Sequence, residues 1–188
     1  MLSLSGNEMS DPLDIKKYIR TVKDFPIDGI KFRDITSLIE MPEAFVKTCK
    51  ELTRITAKFD ATMIASIESR GFIFAGSISY DLALPFVLAR KPGKLPNATY
   101  KKDFDLEYGS TSIEIQKNTK INSNDRIVIV DDLVATGGTA IACSEILTEN
   151  FSVKKSNILI LGIIDLPDLG GSKRIRDDGY NFEALVTY

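Results

Sequence analysis

One stretch of the sequence decides the fold, Ile127-Val128-Ile129-Val130-Asp131-Asp132-Leu133-Val134-Ala135-Thr136-Gly137-Gly138-Thr139. Its first four residues are apolar and β-branched, which predicts a buried strand that ends at two adjacent carboxylates. Small and hydroxyl-bearing residues follow from Ala135 to Thr139 and lead directly into a segment with helical periodicity. Glycines let a backbone approach a ligand closely, and the N–H groups at a helix start favour an anion. The stretch therefore predicts a phosphate-binding loop.

Two carboxylates, Asp131 and Asp132, are predicted beside this loop at the carboxyl end of a strand, where open α/β sheets bind their ligands. They suit the hydroxyls of a sugar or the waters of a hydrated Mg²⁺ ion. The stretch lacks the lysine of the P-loop pattern and the spacing of the GxGxxG dinucleotide fingerprint. Taken alone, it also fits a solvated strand end followed by an ordinary turn.

Buried strands alternate with helices along the rest of the chain. Strands are predicted over 61–67, 84–89, 112–116, 158–164 and 182–186, and helices over 42–58, 72–82, 139–148 and 173–178. This alternation predicts one α/β domain over residues 1–188, with a mainly parallel central sheet flanked by helices. Residues 1–13 are expected to form a frayed extension. Residues 95–110 are polar and are expected to form a long flexible loop, which in a compact domain is usually functional.

The composition excludes several classes of function. The 188 residues carry a net charge of -2, which gives no electrostatic footprint for nucleic acid or anionic membrane. No apolar run approaches the ~20 residues needed to cross a bilayer. The chain has no histidine, so acid-base work falls to Asp, Glu, Tyr or Lys. Cys49 and Cys143 lie in helical segments and are expected to be buried reduced thiols, which, without an N-terminal signal segment, predicts a cytoplasmic protein.

The stretch from Ile127 to Thr139 closely resembles the motif with which type I phosphoribosyltransferases bind 5-phosphoribosyl pyrophosphate (PRPP). Its ending, Ala-Thr-Gly-Gly-Thr, is similar to the adenine-using branch of that family. The resemblance covers residues 24–188. It rests on further motifs in the family's order: Phe25-Pro26, Gly29-Ile30 and Phe32-Arg33-Asp34-Ile35 at the N-terminus, Ser69-Arg70-Gly71-Phe72 as the pyrophosphate loop, and Arg90-Lys91-Pro92-Gly93-Lys94-Leu95-Pro96 and Leu106-Glu107-Tyr108-Gly109 as the two ends of a flexible catalytic loop.

The resemblance implies the type I phosphoribosyltransferase fold, with a small N-terminal hood at about residues 22–36 and the catalytic loop at about 95–110. It implies transfer of the 5-phosphoribosyl group from PRPP to adenine, giving AMP and pyrophosphate. Mg²⁺ is the implied cofactor, held by PRPP and water and oriented by Asp131 and Asp132. The implied assembly is a homodimer in which Arg90 reaches the neighbouring site.

The resemblance also assigns the site residues. The catalytic candidates are Glu107, Tyr108 and Arg70, with Glu107 managing the proton at the purine N7. Adenine is expected at Ile30, Lys31 and Arg70. The PRPP and AMP set is Asp131, Asp132, Ala135, Thr136, Gly137, Gly138, Thr139, Ser69, Arg90 and Lys94. The family's non-proline cis peptide bond is expected at Glu68-Ser69.

Two other interpretations stay open on the sequence. A 6-oxopurine or orotate phosphoribosyltransferase would share the PRPP motif, although hypoxanthine-guanine enzymes carry an acid where this chain has Ala135. A regulator that senses PRPP without chemistry would share it too, although such regulators add a DNA-binding segment and a basic face. The chain departs from the family pattern at Phe104, where tyrosine is frequent, and at Lys31, where an apolar residue is common beside the base.

Overall fold

The structure is a computed structural model that describes residues 14–106 and 109–188. The expected frayed extension, 1–13, and the catalytic candidates Glu107 and Tyr108 lie outside the described residues. The strands are β1 (Arg20–Lys23), β2 (Lys31–Asp34), β3 (Met63–Ile67), β4 (Phe86–Ala89), β5 (Thr99–Leu106), β6 (Gly109–Gln116), β7 (Ile127–Val134), β8 (Ile158–Asp165) and β9 (Asn181–Thr187). The helices are α1 (Thr36–Ile39), α2 (Pro42–Lys58), α3 (Gly71–Leu82), α4 (Gly138–Phe151) and α5 (Gly171–Asp177).

The central sheet consists of five parallel strands in the order β4-β3-β7-β8-β9, as the predicted fold class requires. The chain moves outward from β3 to β4 on one side and from β7 through β8 to β9 on the other. The loops that follow β3 and β7 therefore diverge and leave a crevice at the carboxyl ends of these strands. β7 pairs with β3 only as far as Val130, whereas its pairing with β8 continues to Val134. Asp131 and Asp132 thus lie beyond the last pairing of β7 with β3, at the crevice.

Helices cover both faces of the sheet. The inner strand β7 alternates between two buried clusters, with Ile127 and Ile129 in the cluster beside α4 and Val128 and Val130 in the cluster beside α2 and α3. Each of these four side chains is fully buried. Burial of such a side chain stabilises the fold by about 1.5–3 kcal/mol relative to exposure. Continuous apolar runs in the sequence therefore mark strands buried on both faces.

A β-hairpin forms much of the segment over 95–110 that is predicted as a long flexible loop. β5 pairs antiparallel with β6 from Thr99–Gln116 to Leu106–Gly109. Tyr100 and Phe104 pack against the cluster beside α4, while Lys101 and Asp103 on the opposite face are exposed. The strand β5 was not predicted because Lys102 lies between the two aromatic residues on the buried face. A charged residue at that position hides the period-two pattern of the strand.

The predicted strand end at Asp131-Asp132 also differs from the structure, since β7 runs on to Val134. The longer neighbour β8 continues alongside it and supplies the pairing partners. Sequence alone shows a polar interruption at this point and cannot show that a neighbouring strand extends past it. The two carboxylates therefore belong to a strand that is paired on one side, rather than to a free loop.

A short antiparallel ribbon, β1–β2, lies apart from the central sheet. It overlaps the predicted hood at about 22–36, begins two residues before it, and leads into α1. The residues that flank the ribbon, Ile19 and Ile35, are buried in the cluster beside α2. The ribbon is thus attached to the core at its ends and has no strand pairing with the sheet among the described residues.

Asp34 ties the ribbon to the start of α1. Its carboxylate accepts hydrogen bonds from the Thr36 hydroxyl at 2.6 Å, the Thr36 N–H at 3.0 Å and the Arg20 guanidinium at 2.6 Å. These bonds, with the Thr36 hydroxyl as the largest contribution, lower the pKa of Asp34 to about 2. A carboxyl group whose pKa is lower in the folded state stabilises the fold above its ordinary pKa, and this stabilisation is lost as the pH falls toward 2.

We expect the Asp34→Asn variant to unfold at a lower temperature than wild type at pH 7, by about 2–8 °C. The difference should shrink between pH 4 and pH 2, because wild-type Asp34 then becomes protonated and loses the same interactions. Thermal melts of both proteins across this range measure the effect, with the exposed Asp103→Asn as the matched control. A difference that stays constant down to pH 2 would contradict the electrostatic explanation.

Both cysteines are free and buried, as the sequence predicts. Burial raises the pKa of each thiol, that of Cys143 to about 12. Within the described ranges, none of the helices has the length and apolar character needed to cross a membrane.

Candidate active site

The loop between β7 and α4 forms a cradle of 140 Å³ whose lining includes all of Ala135 to Thr139. Gly137 precedes α4 in the left-handed region, with φ +76°, which favours glycine. No side chain of the described chain caps the start of α4, so its first backbone N–H groups remain available to a ligand. These donors and the positive end of the helix macrodipole suit an oxyanion. The structure therefore brings the five predicted loop residues together around one cavity.

A further glycine, Gly171 at the start of α5, supports the backbone of this loop. Its N–H donates a hydrogen bond to the Ala135 carbonyl at 3.0 Å. A Cβ atom at Gly171 would lie 2.2 Å from the Ala135 oxygen and 2.6 Å from the Gly137 nitrogen. Any side chain at this position must displace the cradle. Gly171 was not predicted as a site residue, and the adjacent pair Gly170-Gly171 is its only signal in the sequence.

Asp131 and Asp132 lie beside the cradle and are 9% and 5% exposed. The Asp132 N–H donates a hydrogen bond to the Asp131 carboxylate at 2.9 Å. Burial, and then the neighbouring Asp132 carboxylate, raise the pKa of Asp131 well above its usual value. Both side chains line a cavity of 260 Å³ that also borders Thr139. This pair of acceptors can hold the hydroxyl groups of a sugar whose phosphate lies in the cradle.

Arg70 stands between the cavities of the crevice. It lines the 260 Å³ cavity, a polar cavity of 350 Å³ that also contains Ser69, and an apolar cavity of 420 Å³. Its Nε lies 2.7 Å from the Asp132 carboxylate, and its guanidinium lies 5.6 Å from the centre of the Phe32 ring. The turn that carries Arg70 has a cis peptide bond between Glu68 and Ser69, as the resemblance implies. One cation thus borders every part of the crevice except the cradle.

Arg90 and Lys94 were predicted to bind PRPP, but they line neither the cradle nor the three cavities that Arg70 borders. Arg90 pairs with Glu68 of its own chain at 2.7 Å and donates a hydrogen bond to the Lys94 carbonyl at 3.0 Å. The Glu68 carboxylate also accepts the Lys91 N–H at 3.1 Å. Burial opposes ionisation of Glu68, but these hydrogen bonds lower its pKa. Lys91, which our sequence analysis did not single out, borders both polar cavities beside Arg70.

The apolar cavity of 420 Å³ lies under the β1–β2 ribbon. Its lining includes Ile30 and Lys31, as predicted, and it shares Leu133, Ala135 and Thr136 with the cradle. Arg70, also predicted for adenine, lines the cavity as well, and the other lining residues are Phe32, Arg33, Leu166 and Leu169. These four residues and Leu133 were not predicted as site residues. A size of a few hundred Å³ and a mainly apolar lining are typical of pockets for small planar ligands.

Comparison with known proteins assigns the family. The model of the phosphoribosyl transferase domain matches residues 43–164. An adenine phosphoribosyltransferase of Erythrobacter litoralis is 42% identical over 93% of this chain and 96% of its own, and one of Chlorobaculum parvum is 44% identical over 94% and 98%. Among solved structures, adenine phosphoribosyltransferase from Thermoanaerobacter pseudethanolicus has a TM-score of 0.83 at 40% identity, covering 93% of this chain and 98% of its own. The Giardia lamblia enzyme complexed with 9-deazaadenine has a TM-score of 0.86 at 35% identity, covering 96% and 98%.

The fold, the cradle and these matches define the class of the protein, which is a phosphoribosyltransferase. Relatives of this identity and coverage narrow the class further. The chain belongs to the adenine phosphoribosyltransferase family. The predicted family, fold class and enzyme class are therefore confirmed.

Proposed function

We propose that this chain transfers the 5-phosphoribosyl group of PRPP to adenine, giving AMP and pyrophosphate. One observation carries the proposal: the phosphate cradle and the apolar cavity share Leu133, Ala135 and Thr136, so they form one continuous crevice. A nucleotide has a phosphate at one end and a flat aromatic base at the other. The cradle fits the phosphate and the apolar cavity fits the base. The names of the relatives support adenine as the base.

PRPP is proposed to bind with its 5′-phosphate in the cradle, where the backbone N–H groups from Ala135 to Thr139 act as donors. Asp131 and Asp132 accept hydrogen bonds from the ribose hydroxyls. The pyrophosphate lies at Ser69, Arg70 and Lys91, since the polar cavity there contains two cationic side chains. Such a site stabilises the charge that develops on pyrophosphate as its bond to the ribose breaks.

Mg²⁺ is proposed as the cofactor. The described residues contain no group of three or more potential ligand side chains that could hold a metal ion by themselves. Two carboxylates beside a pyrophosphate site fit an ion that prefers oxygen ligands and keeps several waters. Asp131 and Asp132 would hold the ion through its waters, and the ion would supply positive charge beside the pyrophosphate.

Adenine is proposed to lie in the apolar cavity, against Phe32 and Leu133 and beside Arg70. Its amino group requires an acceptor and its N1 requires a donor. Among the described residues, β2 is paired with a strand on one edge only, so backbone N–H and C=O groups from Lys31 to Arg33 that face away from β1 can serve both needs. A 6-oxopurine presents the reverse pattern at these two atoms and leaves groups unpaired.

Glu107 is proposed to manage the proton at the purine N7, with Tyr108 as its neighbour in the catalytic loop. Support comes from the described part of the hairpin, in which Phe104 and Thr111 line the 260 Å³ cavity beside Asp131. Ala135 occupies the position of the acid in the oxopurine enzymes and cannot exchange a proton. The hairpin also excludes water from the reacting carbon of the ribose.

A homodimer is proposed from the outer surface of α3 and β4. Ile73 and Tyr80 are spaced along one face of α3 and are 43% and 88% exposed, and Phe86 of β4 is 38% exposed. Large exposed apolar side chains that share a surface favour association with a second copy. For Arg90 to reach the neighbouring site, as proposed, it must exchange its partner Glu68 for pyrophosphate.

A location in the cytoplasm is proposed from the two buried reduced thiols, Cys49 and Cys143.

We expect the purified chain, with PRPP and Mg²⁺, to form nucleotide efficiently from adenine and at least about 10³-fold less efficiently from hypoxanthine, guanine or orotate. Each buried hydrogen-bond mismatch costs about 1–3 kcal/mol, and sites built around polar groups discriminate by up to roughly 10⁴-fold. Nucleotide formation with each base in turn measures kcat/KM. Comparable values for adenine and hypoxanthine would contradict the choice of base. PRPP binding without nucleotide from any base would instead favour a sensing regulator.

A further inference from the structure

The β5–β6 hairpin is docked on α4 through one face of β5. Tyr100 and Phe104 pack on this side, and the Tyr100 ring meets the Phe151 ring edge to face, with centroids 5.3 Å apart. Between them, the Lys102 ammonium lies 2.7 Å from the Glu149 carboxylate and 3.3 Å from the Glu145 carboxylate. One cation of the hairpin therefore joins two acids of the helix.

The two acids are one helical turn apart and on the same face of α4. Like charges at this spacing destabilise a helix, and a cation between them removes the repulsion. The Lys102 side chain is 31% exposed, which reduces screening by solvent relative to a free surface pair. The hydrogen bond to Glu149 raises the pKa of Lys102 against the opposing effect of burial. The cluster is thus a charged contact between the hairpin and the helix that follows the cradle.

The contact between Lys102 and α4 lies close to the 260 Å³ cavity. Phe104, the next residue on the same face, lines the 260 Å³ cavity together with Asp131 and Asp132. Thr111 and Ser112 of β6 line the same cavity. Residues two apart on a strand are separated by only ~7 Å. Movement of Lys102 away from α4 would therefore displace the hairpin wall of the cavity.

We propose that Lys102 is a positioning residue, which locks the hairpin onto Glu145 and Glu149 and so holds Phe104 over the ribose and pyrophosphate site. Lys102 acts through the hairpin and does not touch substrate. The kinetic consequence rests on the proposed function, whereas the docking of the hairpin does not. Lys101 provides the matched comparison, because it lies on the opposite, exposed face and pairs with Asp103 at 3.2 Å.

The test compares Lys102→Met, which keeps an unbranched apolar stem, with Lys101→Met. We expect Lys102→Met to lower kcat with adenine by about 3- to 10-fold and to leave the KM for PRPP within about 2-fold. Backbone hydrogen exchange of residues 99–116 should become faster in the same variant, without substrate present. Lys101→Met should match wild type in both measurements. Equal kcat and equal hairpin exchange in the two variants would overturn the proposal.

A charge exchange separates the ion cluster from a general loss of stability. We expect the double variant Lys102→Glu/Glu149→Lys to recover hairpin exchange and kcat relative to Lys102→Glu alone, because the cation, now carried by α4, would again lie between two acids. Failure of the double variant to recover either property would overturn the proposal. If the wild-type chain makes no nucleotide from adenine, the proposed function fails, and the exchange measurements still decide the role of Lys102.

Discussion

The Gly171→Ala variant is expected to lose PRPP binding while keeping most of its fold. The added Cβ would lie 2.2 Å from the Ala135 oxygen, so the backbone from Ala135 to Gly137 must move. Hydrogen bonds to charged groups contribute about 1.5–3 kcal/mol each, and misplacing two of them weakens binding by on the order of 10²- to 10⁴-fold. Calorimetric titration with PRPP and Mg²⁺ measures the loss, and circular dichroism with thermal melts monitors the fold.

Gly76→Ala is the control for this experiment. Gly76 lies inside α3, and a Cβ there would meet no atom within 4 Å. Alanine favours a helix by roughly 1 kcal/mol over glycine, so this variant should melt at the same or a higher temperature and bind PRPP normally. Because Gly76 lies on the same face of α3 as Ile73 and Tyr80, size-exclusion chromatography checks that the variant keeps the wild-type oligomeric state. A folded Gly171→Ala protein that binds PRPP as well as Gly76→Ala does would show that α5 does not shape the cradle.

The Arg70→Gln variant is expected to lower kcat/KM by about 10²- to 10⁴-fold. Arg70 borders the apolar cavity and both polar cavities, so its removal affects the base and the pyrophosphate together. Removal also leaves the Asp132 carboxylate, which is 5% exposed, without the guanidinium 2.7 Å away. Steady-state kinetics with adenine and PRPP, and the affinity for pyrophosphate alone, measure these effects.

Arg54→Gln removes the same charge from an ion pair outside the crevice. Arg54 pairs with Glu51 at 2.5 Å on α2 and is 61% exposed. Exposed ion pairs contribute little to stability, so this variant should keep wild-type kinetics.

The Arg70→Lys variant tests whether the charge of Arg70 is sufficient or whether its planar shape is also needed. Lysine keeps the charge but cannot present the planar fork of arginine, so kcat/KM should lie between those of Arg70→Gln and wild type. Wild-type kcat/KM in Arg70→Gln would remove this residue from the mechanism.

The central fold could be predicted from the sequence because its signals are local. Continuous apolar runs mark β7 and β8, which are buried on both faces, and the helical spacing after Met41-Pro42 gives α2 its observed bounds of Pro42–Lys58. The hairpin could not be predicted in this way. Its buried face includes Lys102, whose charge is balanced by acids of α4 that lie more than forty residues further along the chain. Such compensation has no local signature.

The residues of the candidate site likewise fall into those with a local sequence signal and those without one. The cradle, the acid pair and Arg70 come from short motifs at the carboxyl ends of β3 and β7, so the topology that the motifs imply is enough to bring them together. Lys91, Leu166 and Gly171 could not be found in this way, because their places in the site depend on how distant segments pack. Lys91 was hidden by its neighbour Arg90, whose side chain is held by Glu68 in this chain. Glu107 and Tyr108 remain predictions.

The separation of the β1–β2 ribbon from the central sheet has a consequence for the evolution of the protein. Strand β2 of the ribbon lines the cavity proposed for the base, yet the ribbon shares no strand pairing with the sheet among the described residues. Substitutions from Ile30 to Arg33 can therefore alter which nucleobase is accepted without disturbing the strands that hold Asp131 and the cradle. The base-recognition half of such a catalyst can diverge while its phosphoribosyl chemistry stays unchanged, and a mutant library restricted to this ribbon could redirect the chain toward modified purines.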